Sequence, residues 1–259
     1  MTVENPMLEV RGLVSGFGHN TVLHGVNLTV GRGEFAALLG LNGAGKSVTL
    51  KNISGLLTPW KGSVILDGRD ITKLDPEDRV LAGLGHVPQG RQVFPHLSVA
   101  ENLRLGGATV RDRARYNDAL ARVYESFPRL GERRAQLAGT LSGGEQAMLA
   151  VGRALMPSPR LVLIDEPSAG LSPIALAELL GIIREVNRTG VTVLMVEQNT
   201  TFTLRIADTI HVMQKGSIVL SSAVSELSDP NELLAHLGVG ALMRDRIARE
   251  VAARRGASS

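Results

Sequence analysis

The chain has 259 residues, 44% hydrophobic and 20% charged, with a formal net charge of +3. That balance supports a hydrophobic core and excludes wholesale disorder, and so small a net charge gives no argument for nucleic-acid binding. No cysteine is present, which excludes disulfides, thiolate metal sites and cysteine nucleophiles.

Residues 1–7 carry no basic or apolar region of the secretory kind. The longest apolar runs (35–39, 161–164 and 191–196, the last with Thr192 inside it) fall far short of the ~18 residues that span a bilayer. A soluble, intracellular protein is expected, which reaches a membrane only through a partner. In chain order, residues 8–13, 22–30 and 35–39 read as short strands, and the alternation Val26-Asn27-Leu28-Thr29-Val30 has the period of a half-buried strand. Glycines at 12, 16, 18, 25, 31 and 33 predict turns between them. Residues 47–54 predict a helix. From about 100 to 139 the chain is rich in Arg, Glu, Ala and Leu, bracketed by Gly106-Gly107 and Gly139, and reads as a helical insertion. Beyond it, the apolar runs 161–164 and 191–196 alternate with helical stretches at 174–187 and 200–207, the pattern of a parallel sheet covered on both faces. Residues 230–253 are a further helical candidate. There Asp245–Arg249 and Glu250–Arg254 are spaced four apart, as on a solvated helix face.

The strongest motif is Gly40-Leu41-Asn42-Gly43-Ala44-Gly45-Lys46-Ser47, placed after an apolar strand and before a helix. Gly40, Gly43 and Gly45 let the backbone wrap an anion without Cβ clashes, so that successive N–H groups and the helix N-terminus face a phosphate. Lys46 supplies a positive charge for the β- and γ-phosphates, and Ser47 a hydroxyl for Mg²⁺. Downstream, the apolar run 161–164 ends in Asp165-Glu166. Asp165 is placed to hold Mg²⁺ through water and Glu166 to polarise an attacking water. Ser142-Gly143-Gly144 precede a helical run at 147–155 and form a second helix-opening anion site. The six histidines, at 19, 24, 86, 96, 211 and 236, lack metal-ligand spacing.

Leu141-Ser142-Gly143-Gly144-Glu145-Gln146, lying between the phosphate loop and the strand carboxylates, resembles the signature motif of ABC (ATP-binding cassette) ATPases. The resemblance runs from about residue 8 to 237. It implies an α/β P-loop NTPase fold with a RecA-like parallel-sheet core, an N-terminal antiparallel β subdomain and an α-helical subdomain inserted at about 100–155. Residues 1–237 would form the ATPase domain and 238–259 a basic helical tail. It further implies a head-to-tail dimer, in which Ser142, Gly143, Gly144 and Glu145 cap the γ-phosphate held by a second chain. Gly40, Leu41, Asn42, Gly43, Ala44, Gly45, Lys46, Ser47 and Val48 would contact ATP, with Phe17 under the adenine. Ser47, Asp165 and Gln89 (in Val87-Pro88-Gln89) would serve Mg²⁺, with Glu166 as catalytic base and Gln198 as a second catalytic residue.

Within that family, the stretches 88–94, 139–146 and 196–199 look like the second ATPase subunit of branched-chain (hydrophobic) amino acid importers. Urea and short-chain amide importers are similar, and an export role or a non-transport ABC ATPase of DNA repair or regulation are alternatives. The implied partners are membrane-spanning permease subunits, a second ATPase chain (identical or different) and, indirectly, a substrate-binding protein. No nucleic acid is expected, and the location would be the cytoplasmic face of the cell membrane. Phe94 would meet the permease. Three positions depart from the common family pattern: Gln198 replaces a His, Ser172 an Asp, and Val48 a hydroxyl residue. An amide can hydrogen-bond where an imidazole could also relay a proton. Slow hydrolysis is therefore expected.

Overall fold

The computed structural model describes residues 5–227. The tail expected at 238–259 and the helix expected at 230–253 lie outside the described residues. The strands are β1 (Leu8–Phe17), β2 (Asn20–Val30), β3 (Phe35–Leu39), β4 (Lys61–Leu66), β5 (Arg69–Asp70), β6 (Leu84–Val87), β7 (Leu161–Asp165), β8 (Thr192–Glu197), β9 (Thr209–Gln214) and β10 (Ser217–Ala223). The α-helices are α1 (Lys46–Ser54), α2 (Pro76–Leu81), α3 (Val99–Gly106), α4 (Arg113–Ser126), α5 (Pro128–Glu132), α6 (Gly143–Leu155), α7 (Pro173–Arg188) and α8 (Thr200–Ile206).

Two sheets result. One is antiparallel, in the order β2-β1-β4-β5. The other runs β10-β9-β3-β8-β7-β6, parallel except for the β9–β10 hairpin. The expected α/β P-loop fold is the one observed. Every residue of β3, β7 and β8 is buried, and successive residues face opposite layers. Phe35, Ala37, Val162, Ile164, Val193 and Met195 pack toward the helices α3–α8. Ala36, Leu38, Leu161, Leu163, Leu194 and Val196 pack toward α1 and the antiparallel sheet. Both faces being dry explains why these runs carry no polar alternation.

The glycine punctuation needs correction. Gly12, Gly16 and Gly25 lie inside β1 and β2 rather than between strands, and the β1–β2 register slips between Val10 and Leu13 and between Ser15 and Gly16. These glycines accommodate bulges, not turns; a Cβ at Gly16 would collide with the Asn20 carbonyl. The helical stretch expected at 100–139 divides into α3, α4 and α5. α3 starts in a capping box, Ser98 with Glu101, and α4 is capped by the Asp112 carboxylate. At the other end of the core, Arg79 is fully buried. It donates to the Asn52 and Ile53 carbonyls at 2.7 and 2.8 Å, closing the C-terminus of α1, and to Leu74 O and Thr72 O. Among the described residues no helix is long and apolar enough to cross a membrane.

Candidate functional site

The loop 40–45 leaves the buried end of β3 and delivers the chain into α1. Its tightness requires glycine at two points. Gly45, the N-cap of α1, has φ 109°, and a Cβ there would lie 2.8 Å from the Leu23 side chain; at Gly40 it would strike the Met213 carbonyl. The loop is braced from outside by Gly216 N, which donates to Ala44 O at 2.8 Å. Lys46 is 4% exposed, and its ammonium folds back over the loop to donate to Gly40 O at 2.9 Å and Leu41 O at 3.1 Å. Ser47 opens the same helix and donates its hydroxyl to Asp165 Oδ1 at 3.1 Å.

The adjacent strand β7 ends in Asp165, and Glu166 follows with φ 46°, a left-handed conformation that side chains rarely adopt. The cross-strand bond from Glu166 N to Val196 O, 3.0 Å, holds it there. Three expected site residues converge on its carboxylate. Gln89 Nε2 donates to Oε2 at 2.7 Å, Gln198 Nε2 donates to Oε1 at 2.8 Å, and Lys46 Nζ lies 3.7 Å from Oε1. Gln198 also donates to the side chain of Asn42 in the loop. An open cleft of about 410 Å³, lined by Glu166, Ser168, Glu197, Gln198, Asn199 and Phe202 among others, runs beside this cluster.

Burial sets the electrostatics. It pushes the Lys46 ammonium below its ordinary pKa, partly offset by Glu166 and Asp165. It pushes the Asp165 carboxyl above the usual range; the Ser47 hydrogen bond opposes this and the neighbouring Glu166 charge adds to it. Among the described residues there is no cluster of three or more His, Cys, Asp or Glu that could hold a metal by itself. A desolvated carboxylate and a hydroxyl 3.1 Å apart beside a phosphate loop suit Mg²⁺, which takes one or two protein oxygens and completes its shell with phosphate and water.

The other expected residues fall elsewhere. Ser142 is the exposed N-cap of α6, with Gly143 and Gly144 half-buried behind it. Glu145, expected among the nucleotide contacts, has its carboxylate engaged within its own chain. Its carboxylate accepts from Ser142 N at 2.9 Å in a capping box and pairs with Arg133 at 3.0 Å. Among the described residues no hydrogen bond or ion pair joins 142–145 to 40–48. Phe17 ends β1 with its ring 52% exposed. Two residues before it, Ser15 pairs with Leu23, whose side chain stands against Gly45 of the loop. Val48, in the first turn of α1, is half-buried and packs against the core on the antiparallel-sheet side.

Three residues at the site escaped the sequence reading. Glu197, 3% exposed, closes β8 and accepts from Ser168 N, Ser168 Oγ and Gln198 N at 2.8, 2.9 and 3.0 Å, fixing the loop after Glu166 and the residue that meets it. The signal was available: like Asp165, it is an acid ending an apolar run. Arg91, which donates to Gly170 O, and Arg153, which donates to Gln92 O, gave no local signal.

Comparison with known proteins agrees with this geometry. A family model described as ABC transporter matches residues 23–169. The high-affinity branched-chain amino acid transport ATP-binding protein BraG of Pseudomonas aeruginosa is 42% identical, over 90% of this chain and 100% of its own length. The lipopolysaccharide export system ATP-binding protein LptB of Acidithiobacillus ferridurans is 33% identical, over 90% of this chain and 97% of its own. Among solved structures, a nucleotide-free ATP-binding cassette from an ABC transporter superposes with TM-score 0.79 at 27% identity, covering 90% of this chain and all of its own.

Proposed function

Because this chain belongs to the ABC transporter family of ATP-binding subunits, a family that hydrolyses ATP, we propose that it is the ATP-driven motor of an importer for branched-chain or other hydrophobic amino acids. The observation that carries the hydrolytic role is the convergence of Gln89, Gln198 and Lys46 on the Glu166 carboxylate, beside Ser47 and Asp165. The β- and γ-phosphates of ATP take the place of the Gly40 and Leu41 carbonyls around the Lys46 ammonium, and the N–H groups of residues 43–48 close on them. Ser47, Asp165 and Gln89 would hold Mg²⁺, which would supply charge neutralisation to the phosphates. Phe17 offers its ring to the adenine. Glu166 orients and deprotonates the attacking water, and Gln198 contributes a hydrogen bond in place of an imidazole.

The exposed Ser142 and half-buried Gly143 and Gly144 open a 13-residue helix with no phosphate loop of their own chain bonded to them. They serve the γ-phosphate held by a second ATPase chain, while Glu145 keeps the turn in shape. Phe94, 47% exposed and with Arg153 5.1 Å from its ring centre, meets a membrane-spanning permease at the cytoplasmic face of the membrane. The amino-acid cargo rests on the higher identity to the branched-chain amino acid relative, 42% against 33% for the export relative.

Glu166→Gln is expected to keep ATP binding and lose turnover by ~10²–10⁴-fold; unchanged turnover removes Glu166 from the role. Purification from native membranes is expected to bring down two membrane-spanning subunits and a second ATPase. Recovery with nucleic acid, or without membrane protein, would overturn the transport reading. Phe94→Asp is expected to abolish transport while ATPase activity persists.

A further inference from the structure

The segment after Gln89 is laid along α6 and gripped near each end by an arginine. Gly90, Arg91 and Gln92 are consecutive left-handed residues, with φ 81°, 66° and 44°. For the two that carry side chains this backbone is unfavourable and persists only where the surroundings fix it. Arg153, near the end of α6, donates to Gln92 O at 2.8 Å. At the other end, the Arg91 guanidinium donates to Gly170 O at 2.8 Å through Nη2, which also lies 3.4 Å from Ala169 O, and to Gln146 Oε1 at 3.4 Å through Nη1. One planar group therefore joins three segments: the strained turn, the first turns of α6, and the loop that Glu166 opens. Two glycines leave it room. A Cβ at Gly143 would stand 2.8 Å from Arg91 Nη1, and one at Gly170 would stand 3.1 Å from Nη2. The void between these segments, lined by Gly90, Arg91, Asp165 and Glu166 among others, is only about 20 Å³, room for about one water. With so little slack, a shift of one segment displaces the others.

Gln89, whose amide contacts Glu166, lies two residues before Arg91. We propose that Arg91 is a positioning residue for hydrolysis. It locks the 169–172 loop and the N-terminus of α6 to the turn behind Gln89, so that a movement of Gln89 away from Glu166 on ATP binding reaches Gly143 and the 169–172 loop as one displacement. The inference rests on the reading of Gln89 and Glu166 as parts of the ATP site. It assigns Arg91 no contact with nucleotide. A lysine cannot reproduce the role, because a single ammonium lacks the planar fork that holds carbonyl and amide acceptors in fixed directions.

The chain has no cysteine, so Ile174→Cys, at a position 82% exposed just after the loop, gives one labelling site for an environment-sensitive fluorophore. In this labelled parent, reconstituted with the second ATPase chain and the membrane-spanning subunits that it purifies with, Mg·ATP is expected to change the label emission, with ATP binding followed separately by equilibrium dialysis. Adding Arg91→Ala is expected to leave ATP affinity and KM within ~2-fold, abolish the emission change and lower kcat ~10-fold. Arg91→Lys is expected to behave like Arg91→Ala, and carries the test if the alanine variant does not fold. Gln146→Ala, which removes one acceptor of three, is expected to lower kcat only ~2–3-fold. A normal emission change together with kcat within ~2-fold of the parent in the Arg91 variants overturns the proposal, as does a parent that hydrolyses ATP while its label stays silent. A parent that neither binds nor hydrolyses ATP refutes the proposed function instead, and is read before Arg91 is altered.

Discussion

The phosphate loop and the start of α6 are both glycine-rich turns that open a helix, yet the protein treats them in opposite ways. The loop is closed on itself: Lys46 is buried against Gly40 and Leu41, half-buried Ser47 donates to Asp165, and the rim is held by Gly216. The α6 turn presents an exposed Ser142 and two half-buried glycines, and its carboxylate, Glu145, is retained by Ser142 and Arg133. A helix N-terminus with accessible N–H groups attracts an anion wherever it stands. The difference lies in what surrounds the two turns. At the loop a buried ammonium, Lys46, faces a carboxylate, Glu166, at 3.7 Å, whereas at α6 the nearby guanidinium groups are engaged, Arg133 by Glu145 and Arg91 by Gly170 O.

Lys46→Ala should weaken ATP binding to the single chain most, by ~100-fold, because it leaves a phosphate cradle without its charge (about 3 kcal/mol). Gly143→Glu tests the contrast: single-chain ATP affinity within ~2-fold, with turnover lost. Equal loss of binding in both variants, measured by the same titration, would merge the two regions into one site.

Acid should attack the strands behind both regions. His86 in β6, the strand leading to Gln89, and His211 in β9, beside the loop, are both pushed by burial down to about 4. Their folded pKa values lie below the unfolded value, so the unfolded chain binds protons first. Stability is full above pH ~6.5 and falls by up to about 3 kcal/mol per histidine as pH drops toward 4. Urea midpoints against pH would measure this, and His86→Leu should flatten part of the slope.

Glu197→Ala leaves Ser168 and Gln198 without their shared acceptor and is expected to cost about 2 kcal/mol in chemical denaturation. It should also raise the mobility of Gln198. Smallest is Ser142→Ala. Losing the cap costs about 1 kcal/mol, yet if α6 serves a second chain it should depress turnover of the assembled pair more than this stability loss suggests.

The most legible parts of the sequence were those with a strong local pattern. β3, β7 and β8 announced themselves as apolar runs without polar alternation because both faces are dry, and the loop 40–47 was legible because each glycine answers to a local backbone need. β4, β5, β6, β9 and β10 were missed: β5 and β6 are short, β4 and β10 are half-exposed, and the apolar run of β9 is interrupted by His211. Arg91 and Arg153 were invisible as anchors, since their acceptors lie 79 and 61 residues away, in Gly170 and Gln92.

By itself the sequence determined the phosphate loop, the paired acids at the end of an apolar run and the helix-opening Ser-Gly-Gly, because each is a local arrangement of residue types. The tertiary structure alone decided that Gln89, Gln198 and Lys46 meet at Glu166, across 77, 32 and 120 (166 − 46) residues of chain. That meeting follows from the strand order β6-β7-β8-β3, which sets the C-terminal ends of separate strands side by side. A period of two or of 3.6 residues specifies which face a side chain takes, but carries no information about which distant strand becomes its neighbour.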